Sequence, residues 1–342
     1  PRLPGGKRGG AGRPNPEYAP IYETMMHRIE EHPTIARVLG KQGYLSFQTG
    51  KWWEGNYKRG GFTHGMTHGD PKRGGRHGDV GLKISREGHQ PIADFLDVAK
   101  KEDKPFFIWH APFLPHTPHN PPKELFEKYK AKTDSDHVAR YWAMCDWFDQ
   151  TCGELLDLLD DRGLRDNTLV LYVTDNGWIQ QRDSRRYAAR SKRSPYEGGA
   201  RTPIMLRWPG KIAPNRDEST LASAIDLAPT ILKACGAEVP AAMPGLDLRD
   251  TAALKERDAI FGAAYDHDVF DVKDFTANLQ TRYVVHGAWK LLVPNKKNLP
   301  AAAVDLYNLA EDPHETVDLA AKHPAKVKAL TTKLDAWWPG RK

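Results

Sequence analysis

Two oxygen-bearing side chains lie side by side at the end of a predicted strand. Asp175 and Asn176 follow the apolar run 168–173, which is typical of a buried parallel strand. Ligands of open α/β sheets gather at the carboxyl ends of the strands, and Ca²⁺ and Mg²⁺ take oxygen donors. The pair therefore indicates a Ca²⁺ site, with Mg²⁺ as the less favoured ion. Asp-Asn-Gly is also an ordinary turn sequence, which stays open as the alternative.

Two lysines occupy positions from which they could bind an anion. Lys51 directly follows the predicted strand 43–49, and Lys192 lies in an arginine-rich segment shortly before a Gly-Gly turn. A lysine ammonium is a compact point charge that can be aimed at an anionic oxygen. The alternative for both positions is a solvated surface lysine.

One histidine is placed to transfer a proton. His116 lies in the Pro-rich loop 112–122 that follows the predicted strand 105–110. Prolines on both sides restrict the backbone, which helps to hold an imidazole for acid or base catalysis. A loop histidine that only bonds nearby backbone groups is the alternative.

Zinc and disulfide chemistry are disfavoured. The loop 55–88 and its end carry His64, His68, His77 and His89, but the many glycines of this segment disfavour the helix that a four-residue ligand spacing requires. The three cysteines are too few for a disulfide scaffold, and two of them, seven residues apart on one predicted helix, cannot bridge. We expect buried free thiols at the positions Cys145, Cys152 and Cys235.

Alternating helices and strands must position these residues. Helical periodicity predicts helices over 22–39 with a break at Pro33, 90–101, 137–161 and 223–235. Short apolar runs predict strands over 43–49, 105–110, 168–173 and 202–208. This order predicts an α/β fold with a mostly parallel central sheet flanked by helices.

The sequence pattern changes after Pro244. Short strands are predicted over 260–265, 281–286 and 289–293, followed by an amphipathic helix over 324–338. We expect an α/β domain over 1–245 and a C-terminal subdomain over 246–342, built as a small antiparallel sheet plus a helix.

The composition excludes several classes of protein. The chain has 342 residues and a net charge of +6, and residues 1–86 hold 15 Lys and Arg against 7 Asp and Glu. No helix-turn-helix, zinc-finger or RNA-binding pattern accompanies this charge, so we expect an anionic small molecule or surface as partner and no nucleic acid. No apolar run reaches the roughly 18 residues of a membrane span.

Several motifs occur in one order along the chain. They are Gly43-Tyr44 with Gly50-Lys51-Trp52, Pro115-His116-Thr117-Pro118, Thr174-Asp175-Asn176-Gly177, Lys192 with Tyr196-Glu197-Gly198-Gly199, and Trp289-Lys290-Leu291. In this order they resemble the sulfatases of the alkaline phosphatase superfamily, from about residue 34 to the end of the chain.

The resemblance implies hydrolysis of a sulfate ester by a formylglycine hydrate that attacks sulfur. It implies Ca²⁺ ligation by Asp175 and Asn176, sulfate binding by Lys51 and Lys192, and protonation of the leaving alcohol by His116. It also implies a formylglycine-generating enzyme as maturation partner and a periplasmic or secreted location. The Trp and His content of the loop 56–90 is compatible with a sulfated carbohydrate as substrate.

The chain departs from the family in two respects. Trp53 stands where the family usually has a histidine, so His64 or His68 is expected to substitute for it, or the contact is missing. No Cys-x-Pro-x-Arg or Ser-x-Pro-x-Arg occurs in the chain, and the paired aspartates of the family's first strand are missing too. Because the chain begins at Pro1 and not at Met, we expect both motifs upstream, in a longer reading frame.

Two alternatives remain open. One is a phosphodiesterase or phosphonate hydrolase of the same superfamily, which two zinc ions and a Thr or Ser nucleophile would mark. The other is a non-catalytic pseudo-enzyme that binds sulfated glycans through the basic N-terminal third.

We predict that purified residues 1–342 do not turn over an aryl sulfate, because the nucleophile motif is not in this sequence. A complete sulfatase assayed in parallel provides the positive control, and turnover by the chain alone would refute the prediction. Sequencing the coding DNA upstream of Pro1 is the companion measurement, expected to show an Asp-Asp strand and Cys/Ser-x-Pro-x-Arg in frame.

Overall fold

The computed structural model describes residues 19–69, 79–266 and 271–340, with residues 19–22 described by their backbone alone. Its helices are α1 Ala19–His27, α2 Ile35–Gly40, α3 Gln90–Lys101, α4 Lys123–Lys130, α5 Asp136–Asp161, α6 Glu197–Ala200, α7 Leu227–Ala234, α8 Thr251–Lys255 and α9 Pro324–Trp337. Its strands are β1 Leu45–Gly50, β2 His64–Gly65, β3 Phe106–Ala111, β4 Val170–Val173, β5 Ile204–Arg207, β6 Ala259–Tyr265, β7 Leu279–His286, β8 Trp289–Pro294 and β9 Asp305–Asn308.

A parallel sheet of order β2-β1-β3 forms the centre of the N-terminal part. β1 pairs with β3 from Leu45 opposite Phe106 to Gly50 opposite Ala111, and every residue of β1 is buried. Helices α3 and α5 cover it, since Phe47 stacks on Phe95 at 4.9 Å and Leu159 belongs to the same apolar cluster. The predicted α/β architecture is confirmed.

The prediction for 168–173 was wrong in strand direction and burial. The strand spans Val170–Val173 and pairs antiparallel with β5, Val170 lying opposite Arg207 in a separate two-stranded sheet. Its residues are half-buried, and Val173 is 37% exposed. A continuous apolar run indicates a strand, but the partner and its direction depend on distant residues.

Local signals placed the helix boundaries well. Thr34 caps α2 by accepting a hydrogen bond from the Arg37 N–H, and Gly163, with φ of 68°, follows α5. A left-handed residue just after a helix is where glycine is favoured. The helices α4, α6 and α8 were not predicted.

The C-terminal part is an antiparallel sheet of order β6-β7-β8-β9 with α9 packed on one face. Leu330 and Leu334 of α9 pack with Val284, Leu291 and Leu306 of the strands. The predicted antiparallel sheet plus helix is confirmed, and β9 is an additional strand that the prediction did not include.

The segment predicted as one long loop contains short ordered elements where the structure describes it. Residues Tyr57–Gly60 and Asp79–Lys83 form 3₁₀ turns, and β2 pairs with β1, His64 lying opposite Phe47. His77 lies outside the described residues. Within the described ranges, no helix is both long and apolar enough to cross a membrane.

We predict that Gly50→Ala destabilises the protein by at least about 2 kcal/mol. Gly50 has φ of 77°, and a methyl group there would lie 1.8 Å from the carbonyl oxygen of Ala111. Gly40→Ala is the control, because nothing lies within 4 Å of the added methyl group and its φ is not positive. Denaturant unfolding measures both variants, and an unchanged stability of Gly50→Ala would contradict the packing described.

Candidate anion-binding site

Lys51 is positioned by the end of β1. Its backbone N–H donates to the carbonyl of Ala111 at 2.7 Å, which continues the pairing with β3 beyond Gly50. The ammonium Nζ lies 5.2 Å from the ring centroid of Phe113, within the range of a cation–π contact. The lysine therefore leaves the sheet at its carboxyl end and is held on one side by an aromatic ring.

His116 contacts the same aromatic side chain. Its ring centroid lies 4.7 Å from that of Phe113, and the peptide bonds Leu114–Pro115 and Thr117–Pro118 on either side of it are both cis. Its Nδ1 lies 2.8 Å from the carbonyl oxygen of Thr117. Because a carbonyl can only accept, Nδ1 carries the hydrogen, and Nε2 is the nitrogen that can exchange a proton with a ligand.

Asp175 and Asn176 lie in the turn that follows β4. The next residue, Gly177, donates its N–H to the carbonyl of Gly199 at 2.9 Å, and a methyl group at Gly177 would lie 2.2 Å from the carbonyl oxygen of Gly198. This contact leaves no room for a side chain at Gly177, and it packs the turn directly on Gly198 and Gly199 of α6. Asn176 donates through Nδ2 to the Gly177 carbonyl at 2.9 Å, while the Asp175 side chain is exposed.

Lys192 is held from the other side of the same Gly-Gly segment. A methyl group at Gly199 would lie 2.1 Å from the carbonyl oxygen of Ser191, so the lysine loop packs directly on this glycine. Ser191 is completely buried, and its hydroxyl accepts the N–H of Ile179 at 2.6 Å. The Nζ of Lys192 lies 5.6 Å from the ring centroid of Trp178.

The electrostatics show that these side chains share one neighbourhood. Burial lowers the pKa of His116, and the charges of Lys51 and Lys192 lower it further, whereas Asp175 opposes the shift. The pKa of Lys192 is also lowered, first by burial and then by Lys51 and Arg193, again against Asp175. The structure thus brings Lys51, His116, Asp175 and Lys192 together, with Asn176 adjacent.

The oxygen donors fit a hard cation in type but not in number. Asp175 offers a carboxylate and Asn176 an amide oxygen, whereas Ca²⁺ takes about 6 to 8 oxygen ligands. Across residues 19–69, 79–266 and 271–340, no group of three or more His, Cys, Asp or Glu side chains is arranged to hold a metal ion. The pair can contribute to a Ca²⁺ site only together with further ligands.

His64 and His68, expected as substitutes for the histidine missing at Trp53, contact other side chains, as does His89 of the zinc alternative. His64 lies opposite Phe47 in the sheet. Phe47 precedes Lys51 by four residues, about 13 Å along the strand, so His64 is distant from the lysine. The His64 ring contacts that of Phe95, with 5.3 Å between the ring centroids. His68 packs edge-on against Tyr57 at 5.7 Å. His89 lies 3.2 Å from the hydroxyl of Ser85, and burial lowers its pKa.

The cysteines are free and half-buried. Burial raises the pKa of each thiol, and that of Cys152 to about 11. The thiol form is therefore favoured at neutral pH at the positions Cys145, Cys152 and Cys235.

The sequence analysis missed the aromatic side chains that hold the lysines. Phe113 and Trp178 lie three residues before His116 and two after Asn176, and proximity to those motifs was the signal that could have found them. His119 fills the space beside Trp178, at 5.8 Å between ring centroids. Burial, with the charges of His116 and His137, lowers the pKa of His119 to about 4.

Sequence comparison identifies the family. A profile of the family described as Sulfatase matches residues 11–237, and one described as N-sulphoglucosamine sulphohydrolase, C-terminal, matches residues 187–337. The first match covers most of the chain, and the chain belongs to the sulfatase family. The fold agrees with this assignment.

Individual relatives are similar over part of their length. Arylsulfatase K of Xenopus laevis is 29% identical over 202 residues, which are 58% of this chain and 36% of that protein. A sulfatase of Formosa agariphila is 28% identical over 273 residues, 72% of this chain and 48% of that protein. The chain therefore spans about a third to a half of these curated relatives.

A solved structure shares the fold. Ps i-CgsB in complex with k-i-k-neocarrahexaose superposes with a TM-score of 0.69 at 20% identity, over 90% of this chain and 74% of that one.

We predict that Lys51→Met raises the pKa of His116, because it removes a positive charge that lowers it. Added inorganic sulfate should raise the same pKa, since an anion between the lysines favours the imidazolium. A pH titration of the His116 ring by NMR measures both effects. Lys58→Met, which removes an exposed lysine charge from a nearby 3₁₀ turn, is the control, and an equal shift in both variants would contradict the assigned neighbourhood.

Proposed function

We propose that this chain supplies the sulfate-binding and proton-donating side chains of a sulfatase that hydrolyses sulfate esters of carbohydrates. The proposal is carried by the packing of the Asp175 turn and the Lys192 loop on α6, and by the Phe113 ring that contacts both Lys51 and His116. The influence of the charges of Lys51, Lys192 and Asp175 on the pKa of His116 agrees with this arrangement. Membership of the sulfatase family supports the reaction type. The carbohydrate complex of Ps i-CgsB, a protein of similar fold, supports the substrate class.

The two lysines bind the sulfate group. Their ammonium groups neutralise the charge of the sulfate oxygens, which grows as the ester bond breaks, and fixed charges of this kind are a large part of transition-state stabilisation. Phe113 and Trp178 hold the two lysines from opposite loops. The geometry of the site is therefore set before the substrate arrives.

His116 donates a proton to the leaving oxygen through Nε2. Burial and the charges of the two lysines favour the neutral imidazole in the free chain. The protonated imidazole that catalysis needs is therefore favoured only when an anion is bound. A sulfate ester between the lysines offsets their charge and restores the basicity of the ring. Substrate binding thus prepares the acid for its role.

Asp175 and Asn176 are proposed to hold Ca²⁺ together with carboxylates that this chain does not contain. When bound, a hard cation at this position would add positive charge beside the sulfate group. The chain's own contribution is a carboxylate that also faces Lys192 and His116. Asp175 therefore balances the repulsion between the cationic groups whether or not a metal is present.

The nucleophile is proposed to come from a strand outside this sequence. Within the described residues β3 forms an edge of its sheet and β4 pairs only with β5, while Phe106, Ile108 and Val170 pack on one core. Trp109 is 43% exposed, beside this unpaired edge. An added strand between β3 and β4 would cover these apolar edges and bring the formylglycine residue and its paired aspartates to the lysines.

Maturation and location follow the same proposal. A nucleophile of this kind requires a formylglycine-generating enzyme as partner, and the resemblance to exported sulfatases favours the periplasm or the extracellular space.

We predict that Lys51→Ala and Lys192→Ala each weaken the binding of inorganic sulfate by about tenfold or more, since each removes a charged hydrogen-bond donor worth about 1.5–3 kcal/mol. Isothermal titration calorimetry on the chain measures the dissociation constant. Lys100→Ala removes an exposed lysine charge at the end of α3 and should leave the affinity unchanged.

The opposite result identifies the alternative. If neither Lys51→Ala nor Lys192→Ala changes the affinity for sulfate, the proposed site is wrong. If, in addition, both variants keep their affinity for a sulfated polysaccharide, the chain binds glycans through another surface, as a pseudo-enzyme would.

A further inference from the structure

A fully buried lysine of the C-terminal sheet lies between two carboxylates. Lys290 in β8 is 0% exposed, and its Nζ lies 2.7 Å from Oε1 of Glu197 and 3.0 Å from Oε1 of Glu315. The Glu315 side chain is 1% exposed, and that of Glu197 is 14% exposed. Charges so buried persist only when they are paired, which gives this group a strict geometry.

Glu315 also holds both ends of the loop that carries Lys192. Its Oε2 accepts the backbone N–H of Glu197 at 2.5 Å, and its carbonyl accepts a hydrogen bond from the guanidinium of Arg190. That guanidinium lies 4.5 Å from the ring centroid of Tyr196. The segment 190–197 is thus bonded at its first and last residues to the loop that follows β9.

The fastened segment determines where the anion-binding groups lie. Glu197 begins α6, whose glycines pack against the Lys192 loop on one side and against the Asp175-Asn176-Gly177 turn on the other. A displacement of Glu197 would therefore move Lys192 and Asp175 together. Lys51 and His116, which depend on β1 and β3, would stay in place.

Neighbours of Lys290 on β8 face the other way. Leu291 and Trp289 belong to the apolar cluster beneath α9, whereas Lys290 reaches the α6 side of the sheet. Alternation along a strand separates these two roles on adjacent residues. Leu291 therefore offers a matched position that affects the C-terminal core without touching Glu197.

We propose that Lys290 is a positioning residue of the sulfate site: by pairing with Glu197 and Glu315 it fixes the α6 turn, so that Lys192 and Asp175 converge on His116. The proposal rests on the function proposed above and adds the C-terminal sheet to the determinants of that site. Lys290 itself contacts no ligand.

The test compares Lys290→Met with Leu291→Ala in the 342-residue chain, using inorganic sulfate as the probe. Calorimetry is performed at a temperature where circular dichroism shows each variant to be folded. Lys290→Met is expected to weaken sulfate binding by about two- to thirtyfold, the range typical of residues that act through others. Leu291→Ala is expected to lower the thermal midpoint but to change sulfate affinity by less than about twofold.

The pH dependence of stability separates an electrostatic role from packing. Without the ammonium, Glu315 keeps, among the described residues, only the backbone N–H of Glu197 as a bonded partner. Glu197 keeps the Arg201 guanidinium at 3.8 Å, with the Tyr283 ring beside the vacated position. Burial already raises the pKa of Glu315. A carboxyl group whose pKa is raised in the folded state stabilises the fold fully at pH values below its unfolded-state pKa. This contribution to the free energy of unfolding is lost as the pH rises through the folded-state pKa. The destabilisation of Lys290→Met should therefore be smallest at acidic pH and grow towards neutral pH, whereas that of Leu291→Ala should not change.

The outcomes are distinct. Wild-type sulfate affinity in folded Lys290→Met, or an equal loss in Leu291→Ala, overturns the positioning role. If Lys290→Met does not fold, Glu315→Gln replaces it, with a smaller loss of affinity expected and wild-type affinity again overturning the proposal. If Lys192→Ala leaves sulfate affinity unchanged, the proposed function itself is wrong. If Lys192→Ala weakens sulfate binding but Lys290→Met does not, only the positioning role of Lys290 is refuted.

Discussion

Mutual repulsion between two lysine ammonium groups is the constraint around which the site is built. Lys51 and Lys192 both lower the pKa of His116, and Lys51 also lowers that of Lys192, so their charges act on one small volume. Like charges brought together out of water raise the free energy of the folded chain. Asp175 and the rings of Phe113 and Trp178 offset part of this cost. A sulfate between the lysines would offset the remainder, which is the physical basis of the site we propose.

Backbone contacts at glycine hold the repelling groups in place. Gly50 allows β1 to lie against Ala111, and Gly177 and Gly199 allow the Asp175-Asn176 turn and the lysine loop to meet on α6. At each contact a methyl group would lie about 2 Å from a carbonyl oxygen. Close packing of main chain on main chain is stiffer than contacts between long side chains, because few torsions remain to relax it. The backbone positions from which the flexible lysine side chains extend are therefore fixed.

The C-terminal sheet forms an ion pair with the loop that carries Lys192. Lys290 of this sheet reaches Glu197, and Glu315, in the loop after β9, bonds Arg190 and Glu197. The loop with Lys192 is therefore bonded to a strand about 100 residues further along the chain. Ion pairs buried to this degree rarely add much net stability, but they tolerate few alternative geometries. An electrostatic contact between the two parts of the protein thus reaches the loop that carries Lys192.

Local patterns in the sequence predicted local structure correctly. The apolar stripe of α5 and the Thr34 cap of α2 depend on residues a few positions apart, and the helices formed as expected. The order of the motifs also identified the sulfatase family, which the family profile confirms. The site predicted at Lys51, His116, Asp175, Asn176 and Lys192 stays a prediction.

Contacts between distant segments could be decided only by the tertiary structure. The direction of β4 depends on its pairing with residues 204–207, and an apolar run carries no information about its partner. The roles of Phe113 and Trp178 appear only when loops that follow different strands come together. Lys290 is one of many lysines in the sequence and is distinguished by complete burial between two carboxylates. The sequence by itself determined the family and the main elements, because these depend on local periodicity and motif order, and it supplied the candidate site residues. The tertiary structure decided strand direction, the aromatic supports and the ion pairs, because each depends on distances between residues far apart in the chain.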